Sequence, residues 1–236
     1  MKYKTKYGDL NFWDPYPNLN KFKKIGINLS GGTDSALVMF MTCREIIERK
    51  LDAAIVPITG IDEERPTNIW NAKEIVELFK ELFPQVNFYE HQENRYTKSH
   101  EKDKVNHHVA HENKLRDNKI IDVLFHGRSA NPPENIAKEN NLLFKREERR
   151  DRHAHKRTPY HEKSGKPFYC PLEYLDKRFV AEMYKQFDLM DNLFPITASC
   201  VEYAHKTDYF TKPCKECWWC KEKKWAFNAY DGETLE

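Results

Sequence analysis

Apolar and polar positions along this chain switch repeatedly between a short, continuous pattern and a helical one. Residues 25–29 (IGINL), 53–58 (AAIVPI), 86–89 and 120–125 (IIDVLF) are brief apolar runs of the length expected for buried strands. Between them, Leu37, Val38, Phe40, Met41 and Ile47 give residues 36–50 a broad apolar helix face. Ile69, Ala72, Ile75, Val76, Phe79 and Leu82 do the same for residues 68–83, which Pro84 stops. Residues 167–170 form a candidate fifth strand, and residues 175–187 a further helix carrying Leu175, Phe179, Val180, Met183 and Phe187. Strands alternating with helices predict an α/β fold, a mainly parallel five-stranded sheet with helices on both faces. Ligands of such sheets bind at the carboxyl ends of the strands. Residues 30–35, 59–63 and 126–131 and the region of Pro171 are therefore expected to converge on one edge.

The remaining segments break the alternation. Residues 1–22 hold Tyr3, Tyr7, Phe12, Trp13, Tyr16 and Phe22 and read as an irregular arm whose aromatic side chains cover the domain. Residues 94–118 are polar, with a helix near their end; His107 and His111 are four apart, but the run H-H-V-A-H lacks an acidic partner and reads as a solvated helix. Residues 144–166 hold nine Lys/Arg, four Asp/Glu and three His and almost no aliphatic side chains, which predicts a mobile basic loop or a lid over phosphates. Residues 213–229 carry the last cysteines and a terminal helix. The expected organisation is an arm (1–22), an α/β domain (23–190) and a C-terminal lobe with four cysteines (191–236).

Composition narrows the function classes. The 236 residues suffice for one large α/β domain with an appendage. Basic and acidic side chains nearly cancel (39 against 37, net +2), so overall charge gives no reason to expect a nucleic-acid partner. No apolar run approaches bilayer length, and the polar, aromatic N-terminal stretch lacks the apolar segment of a signal peptide. A cytoplasmic protein with reduced thiols is expected, so its six cysteines read as metal ligands or free thiols rather than disulfides.

Two stretches carry chemistry. The first strand runs into Ser30-Gly31-Gly32-Thr33-Asp34-Ser35 and then directly into a helix. Two glycines let the backbone approach an anion, and N–H groups at the helix start point at it with the helix dipole behind them. Ser30 and Ser35 add hydroxyl donors, and Thr33 offers another. Neither G-x-x-x-x-G-K-[ST] nor G-x-G-x-x-G is present, which excludes a Walker loop and a dinucleotide fingerprint; a plain strand-to-helix turn with a Ser or Asp cap is the bland reading. The second stretch is Cys200, Cys214, Cys217 and Cys220, spaced C-x13-C-x2-C-x2-C. Four thiolates satisfy tetrahedral Zn²⁺ and leave no open position, which makes such a site structural. An iron–sulfur cluster is the alternative occupant, and zinc is favoured because no further cysteine follows closely before a proline. Cys43 reads as a core thiol; Cys170, followed by Pro171, lies outside the cluster spacing.

The S-G-G-x-D-S turn resembles the pyrophosphate loop of the PP-loop ATP pyrophosphatases, which cleave ATP between the α and β phosphates. Together with Pro171-Leu172-Glu173-Tyr174-Leu175-Asp176-Lys177, Ser199-Cys200, Cys214-Lys215-Glu216-Cys217-Trp218-Trp219-Cys220 and Ala226-Phe227, it is similar over most of the chain to the 7-cyano-7-deazaguanine synthases of the queuosine pathway. Lys215 stands where that family has Gly and Val201 where Tyr often follows S-C. The family's stretches after the second and fourth strands are replaced by Thr59-Gly60-Ile61-Asp62-Glu63-Glu64-Arg65 and by Gly127-Arg128-Ser129-Ala130-Asn131-Pro132-Pro133-Glu134.

The resemblance implies a ligase. A carboxylate attacks the α-phosphorus of ATP, ammonia displaces AMP to give an amide, and a second activation yields a nitrile. On this reading Ser30, Gly31, Gly32, Thr33, Asp34 and Ser35 bind the leaving pyrophosphate, and Asp34 holds Mg²⁺ or orients the loop. Lys177 balances phosphate charge, and Arg128 is a candidate for the α-phosphate or the substrate carboxylate. Cys200, Cys214, Cys217 and Cys220 hold structural zinc, and the family implies a homodimer. Three rivals remain open: a PP-loop tRNA thiolation enzyme, a sulfonucleotide reductase-like enzyme with a redox cysteine, and a non-catalytic nucleotide-binding module.

Overall fold

Our computed structural model describes residues 1–97, 101–142, 150, 159–163 and 165–233, with backbone alone at 101–106 and 163. The N-terminal arm is more regular than its composition suggests. Strands β1 (Lys2–Thr5) and β2 (Gly8–Asn11) pair antiparallel, and a 3₁₀ turn (Pro17–Lys21) follows. Its aromatic side chains do cover the domain: Phe12 and Trp13 are fully buried. Trp13 lies 5.8 Å from the Phe125 ring and donates through Nε1 to Asn20 Oδ1 at 2.7 Å, so its one polar atom is satisfied inside the core.

The domain proper alternates as the hydrophobic pattern dictates. Strand β3 (Lys24–Asn28), helix α1 (Thr33–Glu48), strand β4 (Ala54–Asp62) and helix α2 (Thr67–Leu82) come first. Short strands β5 (Asn87–Phe88) and β6 (Gln92–Tyr96) precede helix α3 (Glu101–Asp117) and strand β7 (Val123–His126). Helix α4 (Glu134–Glu139), strands β8 (Tyr160–Lys163) and β9 (Lys166–Tyr169), and helices α5 (Lys177–Gln186) and α6 (Trp218–Phe227) complete the described elements.

The main sheet runs β5-β4-β3-β7-β9-β8, with β6 also paired to β4. Every pairing is parallel except β8 against β9. The sheet therefore has seven strands rather than the expected five. Both additions lie where an apolar pattern is weakest. QENRY of β6 is an edge strand on the extended end of β4, and YHEK of β8 is the outer strand of a hairpin within the basic run. Edge strands keep one face and one backbone side in water, so polar sequences form them without an apolar signature. Apart from Arg150 and this hairpin, the expected mobile basic loop lies outside the described residues.

Alternation across the sheet produces two unequal cores. Ile25, Ile27, Ile55, Val123, Phe125 and Tyr169 face α1, α2, α5 and the arm in the main cluster. Val56, Ile58 and Leu124 face the other way, onto Ile121 and onto Leu115 of α3. Helices thus cover both faces, as expected, but the α3 side is thin and partly polar. Glu112 of α3 accepts from Asn28 Nδ2 (3.2 Å) and lies 3.4 Å from His126 Nε2, while His108 packs against Gly60 and edge-on to Tyr96 at 5.0 Å. The solvated-helix reading therefore holds for the exposed His107 but not for His111, which is half-buried with its Nε2 out of solvent, and His108 and Glu112 turn toward the sheet. Leu193, Phe194, Phe227 and Ala229 of the C-terminal segment join the main cluster.

Candidate active site

The turn after β3 is closed by its own hydroxyls. Ser30 N and Ser30 Oγ both lie 3.1 Å from Ser35 Oγ, which donates in turn to Gly32 O at 3.1 Å. Gly31 has φ +78°, a left-handed conformation, and a Cβ there would stand 2.7 Å from Asn68 O of α2. That position is open only to glycine on both grounds. Gly32 is the N-cap of α1, and no side chain caps the helix. The first-turn N–H groups of α1 are thus left without a side-chain acceptor, the arrangement that favours an anion.

Three chain segments meet at Asp34. Lys177 Nζ donates to Asp34 Oδ1 at 2.8 Å, and Ser129 Oγ donates to Asp34 Oδ2 at 2.8 Å. Thr33 Oγ1 also reaches Asp34 Oδ1, at 3.3 Å. Lys177 is only 7% exposed and begins α5, where the helix dipole disfavours a cation. A buried cation placed against the dipole needs a nearby carboxylate, and Asp34 supplies it. Asp176 caps α5 by accepting from Arg178 N at 3.0 Å, which fixes where Lys177 emerges. Tyr184, also on α5, donates to Thr33 O at 3.0 Å and braces the start of α1.

Gly127 and Ser129 lie in the stretch 126–131 expected at this edge; no motif marks either one, yet both shape the site. A Cβ on Gly127 would sit 2.4 Å from both Cα and N of Ser35. The chain leaving β7 therefore presses directly against the start of α1. Replacing Gly127 with Ala should displace the loop and cost about 2 kcal/mol or more, as overpacking against backbone does. Urea unfolding checks this, and an unchanged midpoint would contradict it. The only sequence signal for Gly127 was its place straight after an apolar strand.

The structure brings the expected edge together. Ser129 meets Asp34, Ala130 N donates to Leu175 O at 2.8 Å, and Thr59 Oγ1 donates to Leu29 O at 2.6 Å. Because the Thr59 hydroxyl is committed to Leu29, the His91 Nε2 that lies 2.8 Å away must carry the proton. Burial holds His91 near pKa 4, so this neutral form is the stable one. Arg128 follows Gly127, but its Nη2 is paired with Glu173 Oε1 at 3.0 Å, so a candidate anion there competes with a carboxylate already in place.

The four cysteines also converge. Their sulfurs all lie within 4.8 Å of one another, and Cys214 and Cys220 are 3.9 Å apart. A tetrahedral ion with Zn–S bonds of about 2.3 Å needs sulfurs about 3.8 Å apart, so the donor set fits. Cys214 N donates to Cys200 Sγ (3.4 Å) and Cys217 N to Cys214 Sγ (3.3 Å), bonds that stabilise thiolate ligands. Lys215 has φ +62°. The turn between the paired cysteines thus demands a left-handed residue, which accounts for the glycine of the resembled family; lysine adopts it at a cost of about 1–2 kcal/mol. The remaining cysteines are not exposed. Cys43 and Cys170 are fully buried, and burial pushes the Cys170 thiol up to about 12.

No family model matches the chain, and no curated protein matches it. Among solved structures, the chain is similar to the U34-tRNA thiolase NcsA from Methanococcus maripaludis, described with its 4Fe-4S cluster. The two are 12% identical with a TM-score of 0.46, over 71% of this chain and 58% of that one. It is also similar to the FMN adenylyltransferase of Candida glabrata in complex with FMN and the ATP analogue AMPCPP. Here identity is 12% and the TM-score 0.42, over 96% of this chain and 74% of that one. This chain spans 58% of the thiolase's length. No described helix is long and apolar enough to cross a membrane.

Proposed function

We propose that this chain is an ATP-dependent carbon–nitrogen ligase that cleaves ATP between the α and β phosphates. It would adenylate the carboxylate of 7-carboxy-7-deazaguanine and pass the acyl group to ammonia with release of AMP, and a second ATP would activate the resulting amide for loss of water to 7-cyano-7-deazaguanine. The carrying observation is the buried Lys177–Asp34–Ser129 contact beside the side-chain-uncapped start of α1. The loop amides receive the leaving pyrophosphate, and Lys177 lies close enough to offset its charge. With both Asp34 oxygens engaged by donors, Asp34 acts chiefly to orient the loop and Lys177. Mg²⁺ delivered with ATP would bridge phosphate oxygens.

The cysteine geometry supports a ligase over the redox and thiolation readings. Cys200, Cys214, Cys217 and Cys220 bring their sulfurs within 4.8 Å of one another, near the spacing of a single tetrahedral ion, whereas a cubane cluster between them would hold their sulfurs further apart. The other two cysteines are buried, which does not suit a sulfur carrier or a redox nucleophile. The acceptor rests on the resemblance carried by residues 171–177 and by the cysteine set. Mass spectrometry after incubation with ATP, Mg²⁺, ammonium and 7-carboxy-7-deazaguanine tests it. AMP together with an amide or nitrile of the acceptor is expected; AMP with an unmodified acceptor would redirect the search to another carboxylate.

A further inference from the structure

Two consecutive residues of α6, Glu222 and Lys223, are charged and have no exposed surface at all. They directly follow Cys220 and Lys221 in the chain, and neither belongs to any motif of the sequence. Each leads by a short chain of contacts to the nucleotide loop. Lys223 Nζ uses all three of its protons, on Thr197 O (3.0 Å), Thr197 Oγ1 (3.2 Å) and Asp231 Oδ1 (2.6 Å). The other oxygen of Asp231 accepts from Ser199 N (2.8 Å) and from the ligand residue Cys200 N (2.9 Å). Between these anchors, Ala198 N donates to Gly31 O at 2.9 Å, and Asn71 Nδ2 donates to Ile196 O at 2.9 Å. Residues 196–200 thus form a strap, clamped to the loop on one side and to α6 on the other.

Glu222 works through the opposite wall. Its Oε1 accepts from Arg150 Nη2 at 2.5 Å, and Arg150 is itself 4% exposed. Arg150 donates to Ser129 O (2.9 Å) and Ala130 O (3.1 Å), and Ser129 is the residue that holds Asp34. One turn of helix, starting at a candidate metal ligand, therefore governs both the Gly31 side and the Asp34 side of the loop.

We propose that Glu222 and Lys223 are positioning residues that couple the four-cysteine site to the nucleotide loop, so that an ordered metal site sets the loop in its anion-binding form. The assignment rests on the loop binding ATP, as proposed above. A buried charge held against an opposite one, as Lys223 is by Asp231 and Glu222 by Arg150, is costly to form and rigid once formed. Coupling between two sites through such a network is reciprocal, so each ligand raises affinity for the other.

The test compares the wild-type protein with Lys223→Met, which keeps side-chain length without charge, and Glu222→Gln, which keeps shape and an acceptor. Zinc content and melting temperature identify the folded, metal-loaded samples. In those samples ATP·Mg²⁺ affinity is measured by calorimetry, and amide hydrogen exchange of residues 30–36 is followed without nucleotide. Affinity at least about tenfold weaker and faster exchange in the loop are expected at full zinc occupancy. Should Lys223→Met fail to fold, Glu222→Gln alone carries the same expectation. Wild-type affinity and exchange in a zinc-loaded variant would overturn the coupling. Wild-type protein that binds no ATP, with exchange still accelerated in the variants, would overturn the ATP reading and leave the coupling standing.

Discussion

Replacing Asp34 with alanine is expected to reduce AMP formation by at least about a hundredfold, the scale at which a single preorganised charge or donor acts in such sites. The reason is geometric. Asp34 accepts from Lys177 and Ser129 and so fixes the cation and the β7–α4 connection against the first turn of α1. Alanine leaves Lys177, 7% exposed at the start of α5, without its carboxylate. Loss of one member of a buried pair costs about 3 kcal/mol or more, so the variant should also unfold at lower urea. Asp34→Asn separates the two effects, since it keeps the shape and an acceptor but not the charge. Folded Asp34→Asn protein with undiminished AMP release would remove Asp34 from the mechanism.

The second large effect concerns the metal. Cys214→Ser should lose bound zinc and melt well below the wild type. Structural zinc sites contribute on the order of 10 kcal/mol to their own folding, and a serine hydroxyl is a poor substitute for thiolate. Cys214 touches all three other cysteines, donating through N to Cys200 Sγ, accepting from Cys217 N and standing 3.9 Å from Cys220. The loss should spread to residues 196–200, because Cys200 N and Ser199 N share one carboxylate, Asp231. Metal analysis with calorimetric melting checks this. One zinc per chain and an unchanged melting temperature in Cys214→Ser would contradict the assignment.

How much of this was legible in the sequence differs between levels. The strand-loop-helix at residues 24–48 was plain, because a buried parallel strand and a broad apolar helix face both print themselves as hydrophobic runs. Lys177 was found only through its place in the P-L-x-x-L-x-K stretch, since a lysine at a helix start is usually a solvated one. Strands β6 and β8 were hidden because edge strands need few apolar side chains. Gly127 is hidden for a different reason: its constraint is the backbone of Ser35, far back along the chain, and no local pattern encodes it. Glu222 and Lys223 carry no signal of burial, because sequence shows the charges but not the Arg150 and Asp231 that pair with them. Local periodicity thus reveals elements, whereas the contacts that finish a site arise from pairs distant in the chain.

The central claim is that the turn at Ser30–Ser35 receives pyrophosphate as a leaving group. Phosphorus NMR of ATP consumed by the wild-type protein with Mg²⁺, ammonium and the carboxylate acceptor reads this directly. AMP and pyrophosphate in equal amounts, lost together in Asp34→Asn, are expected; ADP and inorganic phosphate would contradict the account.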